Sequence, residues 1–371
     1  MAEHMYVHVP FCKSICYYCD FTHMVYREDM VEEWLNALQK ELQHKDIHAQ
    51  VSTVYIGGGT PTCLSSDQLE RLLSLLDVYT TNAEEYTIEV NPETLDEEKV
   101  KILQVHGINR VSMGLQTSNT RLLQQLGRKH TYTTVQQAIQ MLHNARIDNI
   151  SLDIMYSLPD QTLEDLQKTV KDAISLQPKH LSLYSLTIEE NTVFGKTGME
   201  ALDEDREADM YEWICQYLPS HGFRQYEVSN FCQEGYASKH NLAYWYYDDF
   251  YGISCGASGK EGNCRYDNTK SLMAYLKDPC AKETVVLSLE DREFEMVMMS
   301  LRLKQGMDLD RYAQMFQEDF SVRFGEVSNK LIQKGWLKKE GTHLKCTEES
   351  YPILNSVLVE MMEGENTCQE E

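Results

Sequence analysis

No stretch of this sequence approaches the ~18 consecutive apolar residues of a membrane-spanning helix, so no such span is expected. No basic segment leads into an apolar stretch near the first residue, which argues against a secretory leader. Basic residues are scarce: 34 Lys and Arg stand against 58 Asp and Glu, a net charge of −24. That surplus repels a phosphate backbone and argues against nucleic acid as a partner. No internal repeat or low-complexity tract is visible. The 11 cysteines are odd in number and scattered through a chain too large to need disulfide staples. Reduced thiols and a soluble, cytoplasmic protein are the expectation, with peripheral docking at a membrane left open.

What is present reads as an α/β protein. The 371 residues exceed the usual single core, and an apolar fraction of 42% suffices to bury one large and one smaller domain. Six short runs rich in β-branched and aromatic residues precede residue 190: Met5 to Val9, Thr53 to Ile56, Tyr86 to Val90, Arg110 to Leu115, Ile150 to Met155 and Leu181 to Leu186. Helical stripes alternate with them, such as Val31, Trp34, Leu35, Leu38 and Leu42 on one face, and Leu69, Leu72, Leu73 and Leu76 on another. Residues 160–176 and 203–218 read as two further helices. Six βα units predict a partial TIM-like (β/α)6 barrel with its function at the C-terminal strand ends. The expected division is 1–285 for the barrel and its extension, and 286–371 for a helical, winged-helix-like module ending in a hairpin around Gly341. Given the acidic charge, that module reads as a lid or protein-docking element. The tail from Glu360 to Glu371 reads as a frayed acidic terminus.

Cys12, Cys16 and Cys19 put three thiols on one short loop at Cys-x3-Cys-x2-Cys spacing. Three thiolates can hold three irons of a cubane, leaving the fourth iron to chelate a small molecule. A zinc site would want a fourth ligand, which His8 or His23 could supply, and three buried structural cysteines would not require this spacing.

Other residues are ambiguous by themselves. Gly57-Gly58-Gly59-Thr60-Pro61-Thr62 follows a strand but lacks the ending of a P-loop, so it is either a tight turn or a close backbone approach to a ligand. Glu89 ends an apolar strand and could accept hydrogen bonds from hydroxyls, or sit as a plain surface Glu. Asp153 lies on an otherwise apolar strand, where an unpaired carboxylate is expensive to bury.

The cysteine loop, preceded by Tyr6-Val7-His8-Val9-Pro10, resembles the radical S-adenosylmethionine (SAM) superfamily. Within that superfamily the chain resembles, over essentially its whole length, the relatives of oxygen-independent coproporphyrinogen III dehydrogenase. The resemblance implies a [4Fe-4S] cluster on Cys12, Cys16 and Cys19 and a SAM pocket on Tyr6, Tyr18, Gly58, Gly59, Thr60, Glu89, Gln116, Arg128 and Asp153. Arg128 would pair with the SAM carboxylate, and Glu89 and Gln116 would contact the ribose or its surroundings. Where relatives commonly have glycine this chain has Ser157, which puts the local backbone in question.

Two features point to the heme-chaperone branch of that family, the HemW type. Phe21 stands where the dehydrogenase carries a further cysteine, and His240-Asn241-Leu242-Ala243-Tyr244-Trp245 matches the His-Asn-x-x-Tyr-Trp motif of the chaperones. The resemblance implies heme bound through His240 and passed to an acceptor protein, soluble or membrane-bound, with a reductant such as a ferredoxin or flavodoxin, and it is compatible with a homodimer. Taken alone, a His among aromatics is more often a packed core residue. The competing expectations are the porphyrinogen dehydrogenase itself and a zinc-binding structural protein.

Overall fold

The computed structural model describes residues 2–47 and 51–366. Six parallel strands, β1 (His4–Val9), β2 (Thr53–Gly58), β3 (Glu85–Val90), β4 (Arg110–Gln116), β5 (Asn149–Tyr156) and β6 (His180–Ser185), stand in chain order within a twelve-stranded sheet. Between and after them run α1 (Glu28–His44), α2 (Ser66–Thr80), α3 (Glu97–Val105), α4 (Tyr132–Asn144), α5 (Leu163–Ser175) and α6 (Glu204–Tyr217). The (β/α)6 expectation therefore holds. The six strands do not close on themselves: β1 pairs on its other side with Phe250–Ile253, and β6 with Asn230–Cys232. Strands Ser258–Glu261, Cys264–Asn268 and Lys282–Val286 extend the β1 edge, an antiparallel appendage that the sequence patterning does not announce.

Alternation along each strand sorts the two sheet faces. Val7, Val54, Ile88, Val111, Leu152 and Leu183 point to the helices and share one core with Trp34, Leu38, Leu72, Val135 and Val170. Each buried Leu or Val there stabilises the fold by about 1.5–3 kcal/mol. Capping boxes at Ser65/Gln68, Thr131/Thr134 and Thr162/Asp165 fix where α2, α4 and α5 begin, by satisfying backbone N–H groups that the first turn leaves free. The intervening positions face the other way and are polar: His4, Tyr6 and His8 on β1, Thr53 and Tyr55 on β2, Glu85, Thr87 and Glu89 on β3, Arg110 and Ser112 on β4, Ser151 and Asp153 on β5, His180 and Ser182 on β6. They satisfy one another across strands, as in Ser112 Oγ to Asp153 Oδ1 (3.0 Å) and Ser151 Oγ with His180 Nδ1 (2.8 Å).

The chain divides into two compact units. One comprises residues 1–224, 229–240 and 249–285; the other comprises 225–228, 241–248 and 286–371. The second has helices Leu289–Ser300, Leu309–Phe316 and Phe320–Gln333, then a hairpin of Leu337–Glu340 and His343–Cys346 that joins Met307–Asp308 in a three-stranded sheet, in winged-helix order. Its own core includes Met296, Tyr312, Phe324, Leu331 and Val357. The tail read as frayed is helical through Leu354–Asn366, with Lys334 pairing Glu360 at 2.5 Å; residues 367–371 lie outside the described residues. No helix among the described residues is long and apolar enough to cross a membrane.

Candidate functional site

The cysteine loop leaves the C-terminal end of β1 and is pinned shut at its base. A two-residue parallel ladder pairs Phe11 with Met24 and Cys12 with Val25, and Tyr26 N donates to the Cys12 carbonyl at 2.8 Å. In its middle, Tyr17 N donates to Leu126 O (3.1 Å) and Phe194 N donates to Tyr17 O (2.9 Å), so the loop rests on two neighbouring segments. Cys12, Cys16 and Cys19 are all free and partly buried. Burial pushes the Cys12 thiol up to about 11 and the Cys19 thiol up to about 12, and the neighbouring Cys16 adds to both shifts. Thiols so placed become thiolates only when positive charge arrives beside them, which a bound iron cluster brings.

A continuous set of hydrogen bonds runs from one thiol to another. Thr60 Oγ1 donates to Cys12 Sγ (3.7 Å) and accepts from Asn91 Nδ2 (2.9 Å). Asn91 Oδ1 accepts from Arg128 Nη2 (2.7 Å), and Arg128 Nη1 donates to Cys16 Sγ (3.4 Å). Asn91 is the keystone of this ring, and the sequence offered no signal for it beyond its place at a strand end. Arg128 also donates to Gly114 O (3.2 Å); a Cβ on Gly114 would lie 2.6 Å from Nη2, so glycine is what lets the guanidinium approach. Arg128 Nε is buried without a hydrogen-bond partner, the kind of donor a ligand carboxylate would satisfy.

The glycine turn after β2 is a close approach. Gly58 has φ +107, and a side chain there would meet the His8 ring; Gly59 packs so tightly that a Cβ would lie 2.4 Å from Phe11 O. His8 itself bridges the Tyr6 hydroxyl (2.9 Å from Nδ1) and the Thr22 carbonyl (2.7 Å from Nε2). Glu89 accepts from Tyr55 Oη (2.9 Å) and Gly58 N (3.1 Å). Burial, then the charge of Asp153, pushes Glu89 up to about 7; burial likewise pushes Asp153 up to about 6, against the opposing pull of Ser112. Gln116 sits at a β-bulge with φ 61, and Ser157 also has φ 59, so this chain takes the left-handed conformation there without glycine. Ser157 Oγ donates to Glu207 Oε2 at 3.0 Å.

Gly58, Gly59, Thr60, Glu89, Gln116, Arg128 and Asp153 thus stand toward the cysteine end of the wall, Tyr18 neighbours Arg128 and the Cys16 and Cys19 thiols, and Tyr6 stands lower on β1, level with Tyr55. His240 is not among them. It lies at the N-terminal strand ends, 1% exposed, with Nδ1 2.7 Å from Thr53 Oγ1 and its backbone N donating to Glu85 Oε1 at 3.0 Å. Burial holds its imidazole down to about 3, so it is neutral. A porphyrin cannot reach this ring where it stands, and axial ligation requires it to leave the position. The motif is also divided between the units, with His240 in the first and residues 241–248 in the second.

Among the described residues no three His, Cys, Asp or Glu side chains converge to hold a single metal ion. A tetrahedral zinc needs such convergence, whereas a cubane distributes its three thiolates over three irons. The donor set, the ring through Asn91 and the orphaned Arg128 Nε fit a cluster with a carboxylate-bearing ligand beside it.

Residues 6–173 match the Radical SAM superfamily, and residues 287–352 match the HemN C-terminal domain. Similar proteins include "Heme chaperone HemW" of Lactococcus lactis, 37% identical and covering 95% of each chain. The protein of the same name from Bacillus subtilis is 34% identical, covering 95% of this chain and 97% of the relative. Its Escherichia coli counterpart is 32% identical over 95% and 96%. Among solved structures, coproporphyrinogen III oxidase (HemN) from Escherichia coli superposes with a TM-score of 0.84 at 22% identity, over 97% of this chain and 90% of that one.

Proposed function

The protein belongs to the radical SAM superfamily, in the family of the HemW heme chaperones, and from that premise we propose that it is a heme-trafficking protein that binds heme, a [4Fe-4S] cluster and SAM. The observation that carries the reading is kinship over 95% of both chains with relatives named heme chaperones. Cys12, Cys16 and Cys19 would hold the cluster, which when bound supplies one-electron chemistry at the SAM sulfonium. The residues around it have distinct tasks. Arg128 takes the ligand carboxylate through its unpaired Nε, the Gly58–Gly59 backbone admits the ligand closely, and Glu89 and Asp153 accept hydrogens from its hydroxyls. Thr60 and Asn91 keep Arg128 and Cys12 in register.

Heme is the cargo in this proposal, taken by His240 once the imidazole exchanges Thr53 for iron and passed to an acceptor protein in the cytosol or at its membrane. A soluble reductant, such as a ferredoxin or flavodoxin, would serve the cluster. The test is an anaerobic hemin titration of the cluster-loaded protein, followed by visible spectroscopy, in wild type and His240→Ala. A Soret band that is shifted or lost in the variant supports the assignment. Efficient turnover of coproporphyrinogen by the same wild-type sample would replace the chaperone reading with the dehydrogenase one.

A further inference from the structure

Strand β2 carries Thr53, Tyr55 and Gly57 at alternate positions on the polar face, with Gly58 next. Thr53 Oγ1 holds His240 Nδ1 at 2.7 Å. The Tyr55 ring stacks on the His240 ring, centroids 5.3 Å apart and planes at 28°. The same residue's hydroxyl donates to Glu89 Oε1 at 2.9 Å, while Gly58 N serves the other carboxylate oxygen at 3.1 Å. One phenol thus touches the carboxylate of the proposed SAM pocket with its hydroxyl and the histidine of the heme motif with its ring.

Resting on the heme reading, we propose that Tyr55 is a latch that couples the two ends of the wall, holding His240 inside until a ligand's hydroxyls engage Glu89. Glu89 Oε1 already takes the Tyr55 hydrogen, so a ligand hydroxyl arriving there shares or displaces it. A buried phenol that loses its acceptor is destabilised where it stands and gains by moving, and its ring is what covers the imidazole. The Tyr6 ring, 6.2 Å away and tilted by 32°, lines the same place. SAM therefore favours the state in which His240 is released, and by reciprocity heme on His240 tightens SAM by the same factor.

Hemin affinity is measured anaerobically on the full, cluster-loaded chain with and without saturating SAM, in wild type, Tyr55→Phe and His240→Ala. In wild type, SAM should tighten hemin binding about fivefold or more. Tyr55→Phe keeps the ring stacked on His240 but has no hydroxyl for a ligand to displace from Glu89, so SAM should leave its hemin affinity unchanged. The latch is overturned if wild-type hemin affinity ignores SAM, if Tyr55→Phe responds to SAM as wild type does, or if calorimetry shows that Tyr55→Phe no longer binds SAM. Hemin affinity unchanged in His240→Ala instead removes the heme assignment itself, a separate outcome.

Discussion

Lowering the pH should empty the proposed SAM pocket well before the protein unfolds, because its two carboxyls titrate far above the ordinary carboxylate range. Burial sets Glu89 at about 7 and Asp153 at about 6. Both must be ionised to accept two ligand hydroxyls and to face a sulfonium. Nearly every molecule meets that condition at about pH 8, and only about 1% at about pH 5.5, so SAM affinity should fall by about a hundredfold across that window. Calorimetric titration of the cluster-loaded protein at several pH values reads this directly. Glu89→Gln should be weaker at high pH and should flatten most of the profile, which separates the protein's groups from SAM's own. The unliganded fold moves in the opposite sense. A carboxyl whose pKa is raised by folding contributes stability that is fully present below its unfolded value, about 4, and is lost as pH rises through about 6 and about 7. A SAM affinity that stays within about threefold over the window, with Glu89→Gln parallel to wild type, would refute the assignment of these carboxylates to the ligand.

Arg128→Ala should weaken SAM by about tenfold to a hundredfold, the worth of charged hydrogen bonds, and should also alter the cluster's electron paramagnetic signature, because Nη1 lies 3.4 Å from Cys16 Sγ. A SAM affinity within about twofold of wild type would count against the pocket. At Ser157, glycine and alanine variants both lose the Glu207 hydrogen bond, but only alanine keeps a side chain at φ 59. Thermal unfolding should find Ser157→Gly more stable than Ser157→Ala by about 1 kcal/mol, and equal stability would mean that the backbone relaxes there.

The helical stripes, the six strands and the cysteine spacing were legible because each follows from a local period or a local ligand count. The residues of the proposed SAM pocket were singled out only through motif resemblance, since Glu89 and Asp153 by themselves read as ordinary or merely costly carboxylates. Asn91 and Tyr55 were not legible. Their importance comes from partners 31 to 37 and 34 residues away in sequence, and in Tyr55's case from a stack on His240, much farther along the chain. The antiparallel appendage was missed because strands of four or five residues carry little periodic signal. His240 shows the limit from the other side: its motif is plain in sequence, yet only the pairing of strands reveals that it lies beneath the wall, at the end away from the cysteines.

The two-faced wall has a consequence for how such a protein can change over generations. Substitutions among Val7, Ile88, Val111 and Leu152 disturb the packing that all six helices depend on, so that side resists drift. The opposite side is lined mostly by polar side chains that answer to one another, with Met155 of β5 packed in a small separate apolar cluster. Thr87 Oγ1 and Arg110 Nε, which face each other across β3 and β4, make no hydrogen bond, although the Glu85 carboxylate stands 4.0 Å from Arg110 Nε. Residues there can be exchanged in pairs for others of matching hydrogen-bond capacity with little penalty to the scaffold. A lineage can thereby alter what the interior accommodates while its exterior architecture stays the same, and a laboratory library confined to those inward positions is the place to begin retargeting it.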